Sequence, residues 1–232
     1  MRALRARAPQ PTRARRVLRG VPTPALAARG VFRAARHMTT LAYALAATHV
    51  GVYGAGAFGE RDLRRAVIRN TTLSLRSFRE RPYVILTHAL AHASPLHVLV
   101  NSFMTVSWLP PLVFSLGAPR ALMLYAGAAV AGGAGQLYWN DASGFRETRS
   151  VGASGALSGL LLHEAVRFPS NRILLFGLVP MRNDVFSALF MAGNVYGCAS
   201  QTDAHGGGVA FASHIGGGLF GAAFAVARAR LR

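Results

Sequence analysis

The run Ser150-Val151-Gly152-Ala153-Ser154-Gly155-Ala156-Leu157-Ser158-Gly159-Leu160-Leu161-Leu162-His163 carries no charged residue. Extending it to Phe168 adds Glu164 and Arg167, whose long side chains can reach a membrane interface while their stems stay in apolar surroundings. The stretch therefore reads as one apolar helix. Working outward, comparable charge-free windows lie at 37–59, 82–119, 121–140, 185–202 and 204–227. A helix needs about 20 apolar residues to cross the hydrocarbon layer. Four of these windows each fit one crossing. The 82–119 window is too long for one span and short for two, so a re-entrant or interfacial segment near 83–93 precedes a helix from about Ser94 to Phe114. Residues 173–181 read as an interfacial loop before a helix beginning near Asp184. Six helices result.

Composition agrees with this division. Of 232 residues, 52% are hydrophobic and 15% charged, against about 25% charged in an ordinary soluble domain, and the mean hydropathy is +0.30. The net charge of +18 is carried entirely by Arg, with no Lys in the chain. Ten of the 26 arginines fall within residues 1–36, and the others sit mostly between apolar runs. That placement is characteristic of a membrane protein and argues against nucleic-acid binding. Arginines in alternate connections number 17 on the side of the two termini and 9 on the other, which places both termini inside. Removal of the first 36 residues would abolish the bias. The single Cys198 excludes a disulfide framework and a multi-cysteine metal site.

Residues 1–36 are rich in Arg and Ala, lack Asp and Glu, and contain Pro9, Pro11, Pro22 and Pro24. No apolar core follows the first arginines, so they do not form a secretory signal. They read as a mitochondrial-type presequence, with a disordered basic tail on a bacterial protein as the alternative. Two domains follow: 1–36 as presequence or tail, and 37–232 as the helical bundle.

Polar groups within membrane helices are costly and so mark function. With six helices alternating in direction, the second, fourth and sixth run inward from about Ser94, Ser150 and Gly208. His97 and Asn101, Ser154, and His214 then lie three to seven residues below one face. At ~1.5 Å of rise per residue they share a depth within roughly 10 Å of that interface. A hydroxyl, an imidazole and further donors at one depth supply a nucleophile, a base and an oxyanion site. Gly155 and Gly159, and Gly217 and Gly221, are each four apart, a small-residue spacing that lets helices approach closely.

These residues resemble the rhomboid intramembrane proteases. Gly152-Ala153-Ser154-Gly155 matches the family's Gly-x-Ser-Gly motif. His214 precedes closely spaced glycines, and His97 and Asn101 stand four apart at the start of the second core helix. The resemblance covers roughly residues 40–227. It implies an all-α, six-transmembrane-helix bundle, to which the composition of residues 1–36 adds a basic, disordered N-terminal tail. It also implies a Ser154–His214 dyad needing no third carboxylate, and an oxyanion site from Asn101, His97 and the Ser154 backbone N–H. Gly152, Gly155, Gly217 and Gly221 are implied to support these motifs. The activity implied is serine endopeptidase cleavage of single-span membrane proteins without metal or cofactor, in a multi-pass protein of the mitochondrial inner membrane or, alternatively, a bacterial plasma membrane. The alternative function is a catalytically silent pseudoprotease that binds transmembrane helices. Two departures concern loops: no Trp accompanies Arg61, Arg64 and Arg65, and Val113–Gly117 lacks a Glu.

Other chemistries fit less well. No His-Glu-x-x-His occurs, so the histidines at 88 and 92 favour structural or loop roles over metal binding. His163 and His205 lie near expected helix boundaries and read as solvated. Trp108, Tyr125, Tyr138 and Trp139 read as packing and interfacial-belt residues. Carboxylates lie at span edges, which does not suit an aspartyl membrane protease. Ala156 breaks the soluble-hydrolase pattern Gly-x-Ser-x-Gly.

Overall fold

The computed structural model describes the backbone of residues 24–175, 178–200 and 209–230, and side chains from residue 39 onward except at Leu175. The chain divides into two units, Met1–His37 and Met38–Arg232. Most of the tail expected at 1–36 lies outside the described residues. From Pro24, however, the backbone is helical where disorder was expected. Pro is suited to the first turn of a helix, and the alanines that follow favour its continuation.

The elements are α1 (Pro24–Phe58), α2 (Arg61–Thr71), α3 (Leu75–Glu80), α4 (Val84–Thr87) with a 3₁₀ turn at His88–Leu90, α5 (Pro95–Leu116), α6 (Ala118–Ala142), α7 (Ser154–Arg167), β1 (Arg172–Leu175), β2 (Val179–Arg182), α8 (Asn183–Ala199) and α9 (Phe211–Arg230). Six helices of 14 residues or more thus stand among the described residues, in the six expected windows. Thr39–Phe58 and Pro95–Leu116 are long and apolar enough to span a membrane by length and hydropathy alone. Helices α7 and α8, with 14 and 17 residues, are short for a crossing. Helices α6 and α9 dilute their apolar content with four glycines each.

The segment before α5 folds back in short turns, as its length required. Ser94 then caps α5 by accepting a hydrogen bond from the His97 N–H at 3.2 Å, with Pro95 in the first turn. Gly117 alone separates α5 from α6, and its φ of +80° permits the reversal. The expected interfacial loop at 173–181 is instead an antiparallel pair, Arg172 opposite Arg182 through Leu175 opposite Val179. Its backbone groups find partners in each other rather than in water.

Helix α7 begins at Ser154, not near Ser150. Ser150 exchanges two backbone hydrogen bonds with Leu73, at 2.8 and 3.0 Å, which holds the chain extended. Gly152 has φ +130°, outside any helical conformation. The helix can start only after it, which places the serine at the helix terminus.

The core around α7 is aliphatic: Leu109, Leu112, Leu124, Leu157 and Leu160 are fully buried. Outside it, large side chains such as Leu99, Phe103, Leu189 and Tyr196 are 60–74% exposed. Such an apolar exterior suits surroundings of lipid rather than water. His163, expected to be solvated, is buried: its Nδ1 lies 3.2 Å from Glu164 Oε1 and its ring packs on Phe224. Phe224 of α9 covers the face of α7 that carries His163. His205 lies outside the described residues.

Candidate active site

Helices α6, α7 and α9 meet at their glycines. A Cβ on Gly217 would strike the Gly155 carbonyl, and one on Gly221 the Gly159 carbonyl. Gly132 of α6 abuts Gly155 and the Ser213 backbone in the same way. The two small-residue pairs read from the sequence therefore face each other across α7 and α9. This backbone-to-backbone approach fixes the separation of the side chains just above it.

Ser154 and His214 are those side chains. Ser154 Oγ lies 2.8 Å from His214 Nε2, within the range needed for a base to accept a hydroxyl proton. The other ring nitrogen, Nδ1, lies 2.6 Å from Asn194 Oδ1 on α8. Phe190, one turn earlier on α8, places its ring 5.6 Å from the imidazole. Gln136 of α6 accepts a hydrogen bond from the Ser213 N–H at 3.1 Å and bonds Asn140 at 2.8 Å, which anchors the start of α9 beside His214.

Two further residues converge from α5. Gly152 lies so close to the His97 ring that a Cβ there would sit 2.7 Å from Cε1 and 2.8 Å from Nε2. With its positive φ, this position accepts only glycine without strain. Its N–H donates to the His88 carbonyl at 2.9 Å, tying the loop before Ser154 to the 3₁₀ turn. His97 Nδ1 accepts a long hydrogen bond, 3.4 Å, from the Ala93 N–H. A backbone N–H can only donate, so the His97 proton resides on Nε2, on the side of Gly152. Asn101 donates through Nδ2 to the His97 carbonyl at 2.8 Å, and its buried Oδ1 has no partner among the described residues. One Nδ2 hydrogen remains for another acceptor.

The start of α7 contributes as well. As first residue of the helix, Ser154 presents a backbone N–H that no preceding turn uses, at the positive end of the helix dipole. Ser158, one turn deeper, also lines the cavity but is buried and donates to the Ser154 carbonyl at 2.7 Å, whereas the Ser154 hydroxyl is the one paired with His214.

That cavity has a volume of about 700 Å³ and opens between α5, α7, α8 and α9. Ser154, His214, His97 and Asn101 form its polar end; Met104, Trp108, Leu157, Leu161, Phe186 and Phe190 line the remainder. Trp108 thus serves the cavity wall, whereas Tyr125 is buried with its hydroxyl 3.1 Å from His49 Nε2. His92 is buried between the rings of His49 and His97, each 4.9 Å away. Among the described residues no group of three or more His, Cys, Asp or Glu could hold a metal ion.

The sequence reading did not single out Asn194. Its signal was present: an amide in the charge-free window 185–202, where an unpartnered polar side chain is costly. What the sequence lacked was the facing of α8, which decides whether that amide meets lipid or the histidine.

Known proteins resemble this chain in the same region. The Rhomboid domain family matches residues 79–231. Rhomboid protein 1, mitochondrial, of Saccharomyces cerevisiae is 28% identical over 190 residues, which cover 80% of this chain and 52% of that protein. The chain spans about half the length of the curated relative it matches.

Proposed function

The chain belongs to the rhomboid family, and from that premise we propose that it is an intramembrane serine endopeptidase that cuts transmembrane segments of other proteins. The observation that carries the proposal is the 2.8 Å approach of Ser154 Oγ to His214 Nε2 at the polar end of an apolar cavity.

In this reading Ser154 Oγ attacks a peptide carbonyl while His214 Nε2 takes its proton. The tetrahedral oxyanion is held by the Ser154 N–H, the Asn101 amide and His97 Nε2–H. Collapse breaks the C–N bond, and His214 returns the proton to the leaving amine. Water, deprotonated by His214, then hydrolyses the acyl-serine and frees the enzyme. Each oxyanion donor of this kind typically lowers the barrier by about 2.7–4 kcal/mol. The apolar wall from Met104 to Phe190 would seat an unwound stretch of a membrane-spanning segment, whose side chains need no water.

The same proposal has all six long helices cross the bilayer, with α7 (14 residues) and α8 (17 residues) crossing where it is locally thin. Their shortness would thin the local bilayer and bring water nearer to the serine. The name of the yeast relative and the acid-free, arginine-rich start of this chain support placement in mitochondria, and the inner membrane is the membrane proposed there.

A fluorophosphonate tests the nucleophile. It should label Ser154 and spare Ser158 in the folded protein. Label on Ser158, or none while control serine hydrolases react, contradicts the assignment.

A further inference from the structure

We propose that Asn194 is a positioning residue for the histidine, fixing which of its nitrogens carries the proton. The inference rests on the protease reading above and assigns to α8 a part in the reaction beyond lining the cavity.

The two ends of the Asn194 amide have different partners. Asn194 is buried, and its Nδ2 donates to the Phe190 carbonyl at 2.7 Å, within its own helix. A carbonyl oxygen can only accept, so the nitrogen must occupy that side. The reverse orientation would oppose two oxygens there. Oδ1 consequently faces His214 Nδ1 at 2.6 Å. An amide oxygen also only accepts, and the imidazole must therefore carry its proton on Nδ1. Nε2 is left with a lone pair directed at Ser154 Oγ, 2.8 Å away. This is the tautomer a general base needs. The other would present an N–H to the serine and could remove no proton.

Direction is constrained as well as protonation. Asn194 holds one edge of the ring, and Phe190 lies 5.6 Å from it at an interplanar angle of 32°. Both come from α8, one helical turn apart, so a single helix sets the position of the base supplied by α9. When Nε2 is protonated during attack, Nδ1–H still points at the amide dipole, which stabilises the positive ring without a second charge. The other titratable group lining the cavity is His97 from α5; no Asp, Glu or Arg among the described residues lines it.

The position separates bonding from packing. Asn194→Leu retains volume but loses the acceptor, whereas Asn194→Asp retains an acceptor and adds charge. On a single-span substrate in liposomes, Asn194→Leu should lower kcat by about 10²-fold with little change in KM, the lower end of what general acid–base catalysis supplies. Asn194→Asp should recover most of that loss. Its acid-side limb should move to higher pH, because a carboxylate holds the imidazolium against deprotonation. Wild-type kcat and pH profile in Asn194→Leu overturn the proposal, as does an equal loss in a folded Asn194→Asp. The wild-type chain supplies a test independent of folding in the variants. With ¹⁵N-labelled histidine, His214 should show a protonated Nδ1 and an unprotonated Nε2 in its neutral form; the reverse tautomer overturns the assignment. A wild type that shows the expected tautomer but cuts no substrate supports the positioning geometry and counts against the protease reading alone.

Discussion

Ser154 Oγ and His214 Nε2 stand 2.8 Å apart although sixty residues separate them in the chain. They reach this distance because Gly155 and Gly159 of α7 lie against Gly217 and Gly221 of α9, backbone on backbone. Two consequences follow for experiment, one chemical and one mechanical.

The chemical consequence is that the two residues fail as one. Ser154→Ala and His214→Ala should each abolish cleavage of a transmembrane substrate, and the double variant should be no worse than either. Groups that act as a unit give strongly non-additive losses. Substantial cleavage by either single variant, or a further loss in the double, would show that they act separately.

The mechanical consequence concerns the glycine pairs. Gly217→Ala and Gly221→Ala each drive a Cβ into a facing carbonyl, which belongs to the backbone and cannot rotate aside. Such overpacking typically costs about 1–3 kcal/mol, occasionally more. Gly193→Ala, where a Cβ meets nothing within 4 Å, is the control and should be neutral or slightly stabilising. Thermal unfolding in detergent checks the ranking. Equal melting temperatures for all three would mean that α7 and α9 do not pack as described.

Asn101 tests the proposed oxyanion site. Asn101→Ala should leave weak but measurable cleavage, with kcat reduced by about 10²–10³-fold, because it removes one donor of three. Its stability should change little, since Nδ2 bonds a carbonyl of its own helix. Loss confined to KM would assign Asn101 to substrate binding instead.

The N-terminal segment makes a separate prediction. Residues 1–36 fused to a fluorescent reporter should carry it to mitochondria and be absent from the mature protein. A cytosolic reporter removes the organelle assignment and leaves the dyad chemistry untouched.

Much of this was legible in the sequence because charge-free windows and polar residues within them are local signals. The start of α5 near Ser94 followed from the excess length of the 82–119 window, and the glycine spacings announced the faces that meet. Other features depend on contacts between distant segments. The start of α7 was displaced from Ser150 to Ser154 by pairing with Leu73, seventy-seven residues upstream of Ser150 in the chain. His163 looked exposed because the charge-free window ends at it, yet its ring turns inward against Phe224 of α9. The hairpin at Arg172–Arg182 carries no alternating pattern, as Ile173, Leu174 and Leu175 are apolar in succession. Asn194 was hidden for a comparable reason: its partner depends on how α8 is rotated, and a single amide carries no periodicity.

The central claim is tested most directly by hydrolysis itself. The full chain and its Ser154→Ala variant would each be reconstituted in liposomes with a single-span substrate, and the products identified by mass spectrometry. The account expects a new C-terminus within or at the edge of the spanning segment with wild type, and intact substrate with Ser154→Ala. Cleavage at the same bond in both would contradict Ser154 as nucleophile. Substrate that binds the wild type yet stays intact across several spans and lipid compositions would make the chain a helix-binding pseudoprotease.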